Sequence, residues 1–142
     1  MKLETNNERN ILLLVDDDSI SNYVHEIIIR ENTSFSGKIR TCVNGKEAID
    51  FLSELISNIE KEDNFPNYIL LDINMPRMDG FEFMDEFEKL SDNLKERVKI
   101  CMLTSSLNET DKIRASSYKS IEHYLIKPLN PIEFEKILNS HE

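Results

Sequence analysis

Several residues with oxygen or nitrogen donors in this sequence lie one or two positions after a run of apolar residues. The residues concerned are Asp16, Asp17, Asp72, Thr104, Ser105 and Lys127. Carboxylates are ligands that hard dications such as Mg²⁺ prefer, and a carboxylate can also attack phosphorus. A hydroxyl and an ammonium group can hold the oxygens of a phosphoryl group during its transfer. If these residues meet in space, they can bind a divalent cation and a phosphoryl group.

The apolar runs before these residues are typical of strands that are buried on both faces of a parallel sheet. The strands that contain these runs are predicted at residues Ile11–Val15, Tyr68–Leu71, 98–103 and Ile121–Ile126, and a further strand is predicted at residues 39–43. Segments with helical periodicity separate the strands, which indicates an α/β fold. In such sheets, ligands bind outside the carboxyl ends of the strands. We therefore expect the site at that edge.

Helix signals follow each strand. Ile20, Val24, Ile27 and Ile28 recur at helical spacing and predict the apolar face of a first helix, capped by Asp18 or Ser19. The second helix is predicted to begin at Asn44, with Glu47 as a capping partner, and the third is predicted to begin at Asp79-Gly80. A weaker fourth helix is predicted at residues 108–117, and the last is predicted to begin at Pro131. The apolar positions predicted in the second helix are Ala48, Phe51, Leu52, Leu55, Ile56 and Ile59.

Length and composition favour one globular domain. The 142 residues are 39% hydrophobic and 31% charged, and we assign residues 1–142 to one domain with a core from about 10 to 139 and no output domain. The net charge of -10 argues against nucleic acid or an anionic membrane as partner. No run approaches the ~20 apolar residues of a membrane span. The amino terminus is polar and lacks a signal-peptide core, so a cytoplasmic protein is expected.

Both cysteines lie in predicted strands. Cys42 and Cys101 are expected to fill apolar space. In the sheet order given below, three strand spacings of roughly 14 Å in total separate them. A disulfide requires Cα atoms within about 7 Å, so no bridge is expected.

Four motifs in order resemble those of the response-regulator receiver domain, and specifically of the stand-alone, chemotaxis-type regulators of two-component signalling. The motifs are Leu-Leu-Val-Asp-Asp-Asp before Ser19, Leu-Leu-Asp-Ile-Asn-Met-Pro ending at Pro76, Met-Leu-Thr-Ser ending at Ser105, and Tyr-Leu-Ile-Lys-Pro ending at Pro128. The resemblance implies a doubly wound, flavodoxin-like five-stranded parallel sheet of order 2-1-3-4-5 with helices on both faces. It also implies a phosphoacceptor that assists its own phosphorylation and dephosphorylation rather than an enzyme.

Three crowded carboxylates repel one another, and a dication relieves this repulsion. Asp17 is the best candidate for a direct Mg²⁺ ligand, with Asp72 second and the backbone carbonyl of Asn74 third, while Asp16 would act through a metal-bound water. The resemblance implies the same roles. For Asp18, capping the first helix is favoured over binding metal.

The resemblance assigns roles to the other polar residues. It makes Asp72 the acceptor of the phosphoryl group, with Lys127, Thr104 and the Ser105 backbone N–H holding its oxygens. It makes Thr104 and Tyr124 a switch pair, in which the ring moves inward after the hydroxyl. It also implies a cis peptide bond before Pro128, which would aim Lys127 into the site.

The donor would be a histidine kinase or a histidine phosphotransfer protein, and the downstream protein is unknown. We expect partners to read the face around Ile113, Tyr118, His123 and Tyr124, although the loop at residues 57–66 could also form a partner surface. Two alternatives remain open. One is a phosphatase similar to the haloacid dehalogenases, in which Asp16 would be the nucleophile, and the other is a scaffold that is never phosphorylated. The acidic pair that such phosphatases carry after the lysine is absent from the sequence following Lys127.

Overall fold

Five parallel strands form one central sheet. The computed structural model describes residues 10–58 and 64–140. The strands are β1 (Ile11–Val15), β2 (Lys38–Cys42), β3 (Tyr68–Leu71), β4 (Lys99–Thr104) and β5 (Ile121–Ile126). Their order is β2-β1-β3-β4-β5 and every neighbouring pair is parallel, which confirms the predicted topology. The bounds of β1, β3 and β5 are those predicted, whereas β2 begins and ends one residue earlier and β4 one residue later.

Helices follow the strands. They are α1 (Ser19–Asn32), α2 (Gly45–Ser57), α3 (Gly80–Phe87), α4 (Glu109–Ser116) and α5 (Pro131–Asn139). A single helical turn at Asp92–Lys95, which the sequence analysis did not predict, lies before β4. Side-chain caps confirm the predicted starts at Asp18 and Asn44, and Asp79 forms a full capping box with Glu82.

Each face of the sheet carries its own core, because successive strand residues point to opposite faces. Leu13 and Val15 pack with Leu52 and Phe83 on the side of α2 and α3. Leu12 and Leu14 face the other side, where the buried residues include Ile29, Phe134 and Ile137 of α1 and α5. The sheet is therefore covered on both faces, as predicted.

The predicted apolar face of α1 is wrong. Ile20 is 72% exposed, Val24 and Ile27 are also exposed, and Ile28 is only partly buried. The residues that α1 buries are Asn22, His25 and Ile29. The helix thus directs two polar side chains inward and leaves most of the predicted apolar residues exposed. The polar contacts that explain this orientation lie in the functional site.

Other predictions have mixed outcomes. Cys42 and Cys101 are buried free thiols on β2 and β4, as expected. Burial raises the pKa of each thiol to about 12. The amino-terminal segment and residues 59–63, which include Ile59 and half of the loop at residues 57–66, lie outside the described residues. Within the described ranges, no helix combines the length and the apolar character that crossing a membrane would require.

Candidate functional site

Three carboxylates converge where β1 and β3 end. Each of Asp16, Asp17 and Asp72 places a carboxylate oxygen within 4.8 Å of the others. This proximity follows from the sheet, because β1 and β3 are hydrogen-bonded neighbours and Val15 is in register with Leu71. Asp16 and Asp72 are buried, while Asp17 is exposed at the edge. The predicted cluster therefore forms, with one member open to solvent.

Lys127 reaches the same cluster from the end of β5. Its Nζ donates to Asp16 Oδ2 at 2.5 Å and to Asp72 Oδ2 at 3.1 Å. Burial by itself lowers the pKa of Lys127, but the hydrogen bonds and charges of Asp16 and Asp72 raise it above its ordinary value. The ammonium group is therefore held in its charged form between the two carboxylates. The peptide bond between Lys127 and Pro128 is cis, as predicted.

Asp72 is buried at the centre of the site. One of its carboxylate oxygens accepts the backbone N–H of Ile73 at 2.8 Å and the other accepts Lys127. Burial raises the pKa of Asp72, Lys127 opposes this rise, and the nearby charge of Asp16 adds to it. Asp72 is thus a carboxylate whose negative charge is only partly compensated by the protein.

The loop after β3 depends on a close backbone approach. Gly80 donates its N–H to the Ile73 carbonyl at 2.8 Å, and a Cβ there would lie 2.4 Å from the Asp72 carbonyl oxygen. Arg77 has φ of 71°, and the Met78 N–H bonds to the Pro76 carbonyl at 2.7 Å, which forms a γ-turn. Only glycine allows α3 to begin this close to Asp72. In the sequence, the Asp79-Gly80 pair indicated only a helix start, and this role of Gly80 was not predicted.

Helix α1 holds Asp16 in place, which the sequence analysis also missed. Ser21 Oγ donates to Asp16 Oδ2 at 2.8 Å, and Asn22 Nδ2 donates to the Asp16 backbone carbonyl at 3.0 Å. The Asp18 N–H donates to Asp16 Oδ1 at 2.9 Å. These bonds explain why α1 turns polar residues inward. Polar residues three to five positions after an acidic run are a possible sequence signal for such support.

The remaining predicted residues lie around the same edge. Thr104 ends β4 and is fully buried, and its Oγ1 accepts the Ser106 N–H at 3.2 Å. Ser105 and Asn74 are exposed in the loops that follow their strands. Tyr124 is half-buried on β5, and its hydroxyl donates to the Ser106 carbonyl at 3.3 Å. One residue, Ser106, therefore contacts both members of the predicted switch pair.

Asp18 does not belong with the three carboxylates that converge. Its Oδ1 accepts the N–H groups of Ile20 at 2.9 Å and Ser21 at 3.3 Å, which confirms its prediction as the cap of α1.

Asp16, Asp17 and Asp72 match the donor set that Mg²⁺ prefers, since all their donors are hard oxygens and one of them is open to water. The formal charge of the three carboxylates exceeds that of Lys127 by two, which a dication would balance.

Comparison with known proteins identifies the family. The model of the response regulator receiver domain matches residues 12–139. The chain belongs to this family. Receiver domains are signalling modules of two-component systems, and the stand-alone relative Rcp1 from Synechocystis is 32% identical over 142 residues, covering 100% of this chain and 92% of Rcp1.

Other receivers support the assignment. The probable methanogenesis regulatory protein FilR2 of Methanothrix harundinacea is 32% identical, over 84% of this chain and 73% of FilR2. A two-component response regulator structure from Cytophaga hutchinsonii has a TM-score of 0.81 and 31% identity, with 92% of this chain and 95% of that one covered. The Mn²⁺-bound form of Rcp1 has a TM-score of 0.69 and 26% identity, with 92% and 90% covered. The receiver spans about half the length of the ycf27 transcriptional regulators it also matches.

Proposed function

We propose that this receiver domain accepts a phosphoryl group on Asp72 and passes the signal to a partner protein by a change of its surface. The observation that carries the proposal is the arrangement of a buried carboxylate, Asp72, next to Lys127 and two further acids. Family membership supports the reaction class. The assignment of Asp72, rather than Asp16, as the acceptor is our inference from this geometry and from the matching motif.

In the proposed transfer, an oxygen of Asp72 attacks phosphorus, and the bond from phosphorus to the donor breaks with its electron pair leaving on the donor. The product is an acyl phosphate, which adds about two negative charges to the site. Lys127 would move from the carboxylate oxygens to the new phosphoryl oxygens, and Thr104 and the Ser105 N–H would donate to them. The transfer needs no change of redox state.

A divalent cation fits the donor set of this site. Asp17, Asp72 and the Asn74 carbonyl would hold it, and Asp16 would assist through water. When bound, Mg²⁺ would stabilise negative charge on the transferring oxygens. The Mn²⁺-bound form of the relative Rcp1 supports the expectation that a dication binds here.

The phosphodonor is proposed to be a histidine kinase or a histidine phosphotransfer protein, and the transfer is proposed to take place in the cytoplasm. An apolar surface beside the site suits a protein donor. Ile20, Tyr23, Val24 and Ile27 form what we call the α1 stripe, and Tyr23 is 66% exposed. Exposed apolar patches of this kind mark protein interfaces. The stripe starts four residues after Asp16, so a protein docked on it would be next to Asp72.

The signal is proposed to leave through α4 and β5. We call Ile113, Tyr118, His123 and Tyr124 the output face. Of the α4 residues, all of which the structure describes, only Ala115 is buried, so few apolar contacts hold this helix. The Ser106 backbone bonds to both the Thr104 hydroxyl and the Tyr124 hydroxyl. A shift of Thr104 toward a phosphoryl group would therefore change the contacts of Tyr124.

The test is labelling by a small phosphodonor. The protein is incubated with Mg²⁺ and acetyl phosphate, and the adduct is located by mass spectrometry after reduction with borohydride. We expect one phosphoryl group, on Asp72, and no label in Asp72→Asn. Asp50→Asn, at an exposed carboxylate on α2, is the matched control and should label normally.

Two outcomes would overturn the proposal. Label that survives in Asp72→Asn and disappears in Asp16→Asn would favour the phosphatase-like alternative. A folded wild-type protein that binds Mg²⁺ but takes no label from acetyl phosphate or from any histidine-phosphorylated donor would favour the unphosphorylated scaffold.

A further inference from the structure

His25 is an unusual residue for the buried face of α1. It is only 4% exposed, and its Nε2 has no hydrogen-bond partner among the described residues. Its other ring nitrogen, Nδ1, lies 3.4 Å from Ser21 Oγ. A buried polar atom without a partner costs free energy, so an apolar residue would fill this position at lower cost. The polar contact that the ring makes is therefore the one at Nδ1.

The hydrogen-bond directions around Ser21 follow from its single proton. The hydroxyl donates to Asp16 Oδ2 at 2.8 Å, since a carboxylate can only accept. Ser21 Oγ can therefore only accept from His25, and Nδ1 must carry the proton. The unpartnered Nε2 is then a bare lone pair, which is less costly to bury than an N–H. Burial also lowers the pKa of His25, which agrees with a neutral ring.

The chain of bonds continues into the acceptor site. Asp16 Oδ2 accepts both Ser21 Oγ and Lys127 Nζ, and the same Nζ donates to Asp72 Oδ2. We propose that Ser21 and His25 are positioning residues that fix the Asp16 carboxylate and so set where Lys127 stands relative to Asp72. This inference rests on the proposed function, in which Lys127 must move to the phosphoryl oxygens.

The physical role follows from what Asp16 loses in that step. When Lys127 leaves Asp16, the carboxylate keeps the Ser21 hydroxyl as a donor on the same oxygen. Without this hydroxyl, Asp16 would be a stronger partner for Lys127 and would hold it back. His25 keeps the hydroxyl pointed at Asp16, because a donating Nδ1–H leaves no other acceptor for the Ser21 proton on that side.

Labelling rates with acetyl phosphate and Mg²⁺ test the role. Ser21→Ala should slow labelling about tenfold, the size expected for one lost hydrogen bond to a charged group. Ser21→Thr restores the hydroxyl and should stay within about twofold of wild type. His25→Leu should slow labelling about threefold while leaving the thermal midpoint unchanged or higher, since it removes an unpartnered polar atom. Ser19→Ala is the matched control, because positions two apart on a helix do not share a face.

A second measurement needs neither metal nor phosphodonor. Long-range ¹H–¹⁵N spectra of the metal-free protein should show His25 neutral with its proton on Nδ1, and Ser21→Ala should change the signals of that ring. A His25 proton on Nε2, or equal labelling rates in wild type, Ser21→Ala and His25→Leu, would overturn the positioning role. Failure of wild type to label on Asp72 at all is a separate result that overturns the proposed function.

Discussion

Replacing Asp72 by asparagine should stabilise the metal-free protein, although it removes a hydrogen-bonded ion pair. At 3.1 Å, the Lys127 ammonium attracts the Asp72 carboxylate by about 5 kcal/mol with an effective dielectric constant of about 20. Repulsion by Asp16, within 4.8 Å, costs about 3.5 kcal/mol, and the exposed Asp17 adds about 1–2 kcal/mol. Attraction and repulsion nearly cancel, so the cost of burying the carboxylate decides the sign.

Burial raises the pKa of Asp72, so the ionised carboxylate is less favourable in the folded state than in the unfolded state. We expect Asp72→Asn to raise the free energy of unfolding by about 1–2 kcal/mol at pH 7, the usual size for a poorly compensated buried polar group, or the midpoint by about 3–6 °C. For an acid whose folded pKa is raised, stability falls as the pH rises from the unfolded pKa, about 3.9, through the folded one. The gain in free energy of unfolding from Asp72→Asn should therefore be absent near pH 3, begin to appear above about pH 4, and be complete at pH 7.

Thermal or urea unfolding in EDTA, at pH 3 and pH 7, measures this difference. Glu31→Gln changes the net charge equally at an exposed position on α1 and should shift the free energy by less than about 0.5 kcal/mol. Adding Mg²⁺ should stabilise wild type more than Asp72→Asn, because binding to the folded state alone adds to stability. A lower midpoint for Asp72→Asn at pH 7, or an equal gain at both pH values, would refute the reasoning.

Three further predictions concern other parts of the molecule. Asp17→Ala should weaken Mg²⁺ binding strongly in a spectroscopic titration, whereas Asp18→Ala should barely change it and instead cost about 1 kcal/mol of stability through the lost cap; equal losses of affinity would contradict the capping role. Amide exchange on adding beryllofluoride with Mg²⁺ should change mainly at the output face, and changes confined to residues 57–66 would point to another face. Cys42 and Cys101 should resist a thiol reagent at pH 8 until denaturant is added, since a pKa of about 12 leaves little thiolate; rapid reaction of the native protein would show that these strands open easily.

Much of the fold and of the candidate site could be predicted from local sequence. Three of the five strands have the predicted bounds: β1 and β3 are continuous apolar runs between polar residues, and β5 ends in the run Tyr-Leu-Ile directly before Lys127. The order of the strands came from the family resemblance rather than from the runs themselves. Once the strands are parallel, their carboxyl ends share one edge, so Asp16, Asp72 and Lys127 were predicted to lie there. The cap at Asp18 was also predictable, because its partners lie within three residues.

The orientation of α1 could not be predicted from its periodicity. The spacing of Ile20, Val24 and Ile27 describes a good apolar face, but periodicity does not say which face meets the core. Another face of the helix carries Asn22 and His25, and the bonds needed by the backbone and carboxylate of Asp16 turned that face inward. Because Asp16 lies outside the helix, the sequence of the helix alone could not reveal which face turns inward.

The sequence by itself thus determined which residues end the strands, and with them the chemistry available at one edge of the sheet. Only the tertiary structure decided how these residues are held. Gly80 is required because two backbone segments meet at Asp72, and the chain from His25 through Ser21 to Asp16 depends on how α1 packs. Strand ends follow from local patterns of burial, whereas such contacts depend on the relative placement of whole elements, which local patterns do not encode.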